Sequence, residues 1–155
     1  MTPSPVATLP APARTLLSVA PTAPTVPSAV QVLALAEPLP GFPGHRDYVL
    51  VPADAGGLLF WLQSVATGGP RFLAVLAAAF FPDYAPSLTG AVCVELGLEN
   101  PADATLYCLV TVPDGDVSAA TANLRAPVVV NRAGHRARQL VLLDAGLPIR
   151  RPLRR

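Results

Sequence analysis

Residues 58–76 run Leu58-Leu59-Phe60-Trp61-Leu62-Gln63-Ser64, then Val65-Ala66-Thr67-Gly68-Gly69-Pro70, then Arg71-Phe72-Leu73-Ala74-Val75-Leu76. Two apolar runs of strand length flank a Thr-Gly-Gly-Pro turn signal, which predicts an antiparallel hairpin of strands near 58–63 and 71–76. The same texture extends in both directions. Apolar runs near 31–36, 47–51, 91–96, 105–112, 127–131 and 138–143 are separated by turn-forming clusters at 38–44, 52–57, 99–103 and 113–116. Eight short strands at this spacing predict an all-β, mainly antiparallel fold, a small barrel-like single domain. One short helical segment is expected within 77–88, where Asp83 could cap a turn carrying Tyr84 and Leu88 on one face.

Composition agrees with that fold. Nineteen prolines and eleven glycines in 155 residues are too many for a helical bundle and show no collagen-like period. The longest uninterrupted apolar run, residues 72–81, is half the roughly 20 residues a membrane-spanning helix needs, so a soluble chain with no membrane partner is expected. Residues 1–29 contain seven prolines and a single charged side chain, Arg14. Such a segment cannot offset its ordering entropy by burial and is expected to be disordered, with polyproline II character. Its apolar run Leu16-Leu17-Ser18-Val19-Ala20 is Pro-flanked and lacks the charged cluster of a secretion signal. The division is thus 1–29 as a Pro/Ala/Thr-rich segment and 30–155 as the β domain with a basic tail.

Charge is split along the chain. Residues 1–124 hold three arginines against nine acids, and residues 125–155 hold eight arginines against Asp144, so the basic end is expected to pair with the acidic body. The alternative is a small β-barrel that binds nucleic acid through its Arg-rich end, although no aromatic platform accompanies those arginines.

Catalytic groups are scarce. His45 and His135 lie in Gly-containing turns and read as solvated loop residues; no serine sits in a nucleophile elbow; the aspartates cluster in turns that favour Asp for backbone reasons. Cys93 and Cys108 sit inside apolar runs with no CxxC pair and read as buried reduced thiols. No catalytic, metal-binding or cofactor-binding residue is assigned, no cofactor is expected, and a binding protein rather than an enzyme is what remains.

Several stretches are more particular: Pro40-Gly41-Phe42-Pro43 leading into Asp47-Tyr48-Val49-Leu50, Trp61-Leu62-Gln63-Ser64, Phe80-Phe81-Pro82-Asp83-Tyr84, Leu109-Val110-Thr111-Val112, Thr121-Ala122-Asn123-Leu124-Arg125-Ala126-Pro127-Val128-Val129-Val130-Asn131, and Gln139-Leu140-Val141-Leu142. In this order and spacing they resemble the flagellar assembly factor family FliW, over roughly residues 30–153. The resemblance implies a small cytoplasmic β-barrel protein without catalytic activity, acting as a chaperone-like regulator of flagellum biogenesis. It implies two protein partners, flagellin and the translational regulator CsrA (carbon storage regulator). Flagellin sequesters the factor, and free CsrA then represses flagellin translation, so synthesis follows assembly. No direct nucleic-acid contact is implied. Residues 1–29 have no counterpart in the short amino terminus the resemblance implies.

Within these motifs the partner-binding candidates are Phe42, Gln63, Phe81, Asp83, Tyr84, Asn123 and Arg125. Phe42 on its turn buries surface in the core or in a partner. Gln63 at a strand end satisfies either backbone or a partner, and Asn123 most simply caps a loop. Phe81, Asp83 and Tyr84 put two aromatics and an acid on an irregular segment, where contacts concentrate. If Tyr84 is an exposed anchor, Tyr84→Ala should weaken binding with little change in melting temperature.

Overall fold

The computed structural model describes residues 30–153, so the reading of 1–29 as disordered lies outside the described residues. Nine strands follow one another: β1 (Gln31–Leu35), β2 (Asp47–Pro52), β3 (Leu59–Ser64), β4 (Arg71–Leu76), β5 (Thr105–Thr111), β6 (Thr121–Ala122), β7 (Val128–Asn131), β8 (Arg136–Gln139) and β9 (Arg151–Pro152). Two short helices, α1 (Ala77–Phe80) and α2 (Gly90–Leu96), lie between β4 and β5. Seven strands close a ring in the order β4-β3-β2-β1-β8-β7-β5, with β5 pairing back onto β4. All of these pairings are antiparallel except β1 with β8. An up-and-down ring of odd strand number must contain one parallel pair, and it falls where first and last strands meet. Closure removes the exposed edges an open sheet of this size would carry. Strands β6 and β9 form a two-residue annex on the far part of β5.

Side-chain alternation fills the ring. Leu33, Leu35, Tyr48, Leu50, Phe60, Leu62, Ala74, Leu76, Tyr107, Val128, Val130 and Ala137 form one buried cluster, with Phe60 edge-on to Tyr107 at 5.3 Å. Burying one such large side chain contributes about 1.5–3 kcal/mol. Several strands also bury residues on the outside of the ring. Val75 and Cys108, paired across β4 and β5, are covered by Ala77, Phe81, Ala122 and Leu124; Val129 is covered by Val92, Leu96 and Leu98. The barrel thus has an inner core and two outer ones.

Three elements differ from the sequence reading. Residues 91–96 are the helix α2, not a strand: Thr89 caps it by accepting from the Val92 amide, and Gly97 ends it at φ 74°. End signals outweighed the β-branched content of Ala91-Val92-Cys93-Val94. The helix expected over 77–88 is one turn, Ala77–Phe80, which stops before Pro82; Asp83 caps nothing and Tyr84 closes a turn onto the Phe81 carbonyl. The last barrel strand is Arg136–Gln139 rather than 138–143, although Leu140 and Leu142 amides still donate to the Pro127 and Arg125 carbonyls.

Candidate interaction surface

The candidate residues do not form one exposed patch. Phe81 is in the outer core with Val75 and Cys108, 6% exposed, with the Arg151 guanidinium 5.4 Å from its ring centroid. Tyr84 is half-buried against the same cluster, and its phenol donates to the Leu124 carbonyl. The reading of Phe81 and Tyr84 as exposed anchors is therefore corrected: the Pro82 turn folds both rings back onto the barrel. Phe42 is half-buried too, packed on the inner core and edge-on to Phe72 at 5.4 Å. Its loop is set by Gly41 at φ 88°, a conformation that favours glycine. Asp83 and Gln63 are exposed.

Asn123 and Arg125 hold the chain that follows β6. The Asn123 side-chain oxygen Oδ1 accepts from the Arg125 and Ala126 amides, and the Arg125 guanidinium donates to the Leu147 and Ala145 carbonyls at 3.0 Å. Asn131, at the end of the same motif, donates to the Leu96 carbonyl at 2.8 Å and accepts from the Gly134 amide. The motif's polar residues thus organise backbone. Burial pushes the Tyr84 hydroxyl well above its ordinary value and the Cys108 thiol up to about 12.

The scaffold so built presents an apolar groove of about 440 Å3 on the outside of the barrel. Leu59 and Trp61 of β3, Leu73 of β4 and Val110 of β5 form its floor; Phe80 of α1, Val117 and Leu153 form its walls. Trp61, Leu73 and Val110 are consecutive partners across three strands. Among the described residues no charged one lines the groove. Arg71, beside Gln63 in the ladder, lies over the indole of Trp61, 4.2 Å from its centroid. Gln63 therefore borders the groove, and the 81–84 turn buttresses Phe80.

Sequence reasoning missed most of these residues as a site. The available signal was that Leu58 to Trp61 and Phe72 to Leu76 are apolar at nearly every position, whereas a half-exposed antiparallel strand alternates. A larger hollow of about 870 Å3 beside α2 is lined partly by Glu99, Asp103 and Arg132, both charge signs together, so its lining is mixed rather than apolar throughout.

The basic end is partly engaged with the acidic body. Arg138 pairs with Glu95 at 2.6 Å and Glu37 at 3.3 Å, and Arg136 donates to the Glu95 carbonyl. His45 is half-buried with Nδ1 2.8 Å from Ser64 Oγ, which corrects its reading as a solvated loop residue; His135 is exposed in a turn. Cys93 is half-buried on α2 and Cys108 is fully buried, both as free thiols. Among the described residues no helix is long and apolar enough to cross a membrane, and no three His, Cys, Asp or Glu side chains are grouped to hold a metal ion.

The family model described as FliW protein matches residues 24–153. A flagellar assembly factor FliW of Moorella thermoacetica is 38% identical over 104 residues, which are 67% of this chain and 66% of that one. That of Bdellovibrio bacteriovorus is 38% identical over 122 residues, 79% and 69% of the two chains. That of Symbiobacterium thermophilum is 38% identical over 115 residues, 73% and 82%. A crystal structure of the flagellar assembly factor FliW superposes with a TM-score of 0.71 at 27% identity, covering 79% of this chain and 85% of that one. The match takes in every strand of the barrel together with the motif that ties β6 to β7, and the chain belongs to the FliW family of flagellar assembly factors.

Proposed function

We propose that this protein is a non-enzymatic cytoplasmic factor that binds flagellin and, in competition with it, CsrA, so that flagellin synthesis is coupled to assembly. The observation that carries the flagellin half is the groove floored by Trp61, Leu73 and Val110. Before export, flagellin's terminal segments carry an apolar face that needs a partner, and an amphipathic helix laid in an apolar groove is a recurrent mode of recognition. Gln63 on the groove border and Asp83 beside its Phe80 wall supply polar contacts at the rim. Phe42, Phe81, Tyr84, Asn123 and Arg125 act by shaping the barrel that carries the groove.

The test is competition: purified flagellin displaces labelled CsrA from this protein. A ternary complex with both partners at undiminished affinity refutes the switch. The nucleic-acid reading has less support, because Arg125, Arg136, Arg138 and Arg151 each already meet carbonyls, carboxylates or a ring within the chain.

A further inference from the structure

The groove's floor continues toward the point where the chain enters the barrel. In the β2–β3 ladder Val51 is the partner of Trp61, and in the β1–β2 ladder Gln31 is the partner of Leu50. Continuing that register by one residue sets Val30 opposite Val51. Val51, Trp61, Leu73 and Val110 therefore form one apolar row across the outside of the four strands β2 to β5, which Val30, just ahead of β1 and 57% exposed, continues. The 29 residues that precede Val30 carry one charged side chain, seven prolines and the apolar run Leu16-Leu17-Ser18-Val19-Ala20.

We propose that the groove is occupied in cis by residues 10–21 of this same chain, with Leu16 and Leu17 seated against Trp61 and Phe80. Reach is ample. Leu17 lies thirteen residue steps before Val30, roughly 40 Å in polyproline II geometry, while four strand spacings from β1 to β5 are roughly 19 Å. Chemistry matches as well. Proline-rich segments dock on aromatic-lined grooves because their backbone is already extended and loses little freedom on binding, and this groove has Trp61 and Phe80 and, among the described residues, no charged lining. The tether supplies an effective concentration in the millimolar range, so contacts weak in trans suffice in cis. The first 23 residues precede the family match, so the device belongs to this chain rather than to the shared barrel. Any partner using the groove must displace the segment, and its apparent affinity falls by the fraction of time the groove is free. That last consequence rests on the flagellin reading; occupation of the groove does not.

Trp61 is the only tryptophan in the sequence, so its fluorescence reports on the groove alone. The full-length protein is compared with the full-length double variant Leu16→Asp/Leu17→Asp, without any partner, by acrylamide quenching. The quenching constant of the variant is expected to roughly double, with a red-shifted emission, as the indole regains water contact. A peptide of residues 10–21 added to the variant at millimolar concentration restores the shielding. Equal quenching in the two proteins overturns the proposal. Shielding of the unsubstituted protein that disappears on dilution also overturns it, by assigning the groove to a second copy. A thermal melt confirms that the variant retains the barrel, and flagellin binding, measured separately, tests the other reading on its own.

Discussion

The Tyr84 hydroxyl donates to the Leu124 carbonyl at 2.5 Å across 40 residues of sequence, joining the turn after α1 to the loop between β6 and β7. Both ends of that bond lie in stretches by which the family is recognised, and beneath it sit Val75, Phe81 and Cys108. The bond closes the outer core that backs the groove.

Removing it should therefore cost stability. Tyr84→Phe keeps the ring and orphans the Leu124 carbonyl, for an expected loss of about 1–2 kcal/mol; Tyr84→Ala also empties part of the outer core and should cost about 3 kcal/mol or more. Urea melts of the two variants check this. A Tyr84→Ala protein as stable as the parent would return Tyr84 to the role of an exposed anchor.

The β3–β4 hairpin supplies a second test. A Cβ on Gly69 would lie 2.6 Å from both Cβ and Oγ of Ser64 and 3.0 Å from the His45 ring. Ser64 cannot swing away, since its main chain is held by the Pro70 carbonyl and its hydroxyl by the Ala66 amide and His45. Gly69→Ala is expected to destabilise by about 1–3 kcal/mol. Gly44→Ala, at a position with nothing near the added carbon, should cost less in the same melt.

Tyr48 is buried among the inner core and its hydroxyl finds no hydrogen-bond partner. Tyr48→Phe removes that unpaired group without changing the ring, so stability should hold or rise by up to about 1–2 kcal/mol. A clear loss in the midpoint of denaturation would show that the hydroxyl is satisfied in solution.

Alkaline pH should unfold this protein by a specific route. Burial raises Tyr48, Tyr84 and Tyr107 above their ordinary value of 10.0 and Cys108 from 9.0 to about 12. Above pH 9 the unfolded chain releases protons that the folded chain retains. Stability is then fully present below about pH 9 and falls as pH rises toward 12, by up to about 1.4 kcal/mol per pH unit for each group. Denaturation midpoints taken at about pH 8 and about pH 10 measure the slope. Cys108→Ala should flatten it whatever its effect on stability at neutral pH.

Much of the barrel is legible in the sequence because its hairpins are local. Thr67-Gly68-Gly69-Pro70 marks the turn between β3 and β4, and β4 has the expected limits, 71–76. The helix α2 was hidden because Val92, Cys93 and Val94 look like strand residues, while the deciding signals, Thr89 and Gly97, lie at its two ends. The short annex of β6 and β9 depends on pairing across some 30 residues and leaves no periodicity to read. The site was less legible for a related reason. The motif aromatics Phe81 and Tyr84 fold back onto the barrel, whereas the groove is assembled from Trp61, Leu73 and Val110, brought together by strand register, and from Val117 on a separate 3-10 turn.

Val117 offers the cleanest trial of that groove. It lines the wall yet is 78% exposed, on a 3-10 turn, Val117–Ala119, whose start is capped by Asp116. A charge there should disturb folding by no more than about 0.5 kcal/mol, as at most exposed sites. In an apolar interface the same charge must be desolvated without a partner. Val117→Asp is accordingly expected to leave the melting temperature unchanged and to weaken flagellin binding at least about tenfold, or about 1.4 kcal/mol. Binding by the parent protein should also survive an increase in salt that would strip a protein held by several phosphate contacts. Unchanged flagellin affinity in Val117→Asp would move the docking surface elsewhere on the barrel, and a steep loss with salt would move it to the arginines of the carboxy-terminal end.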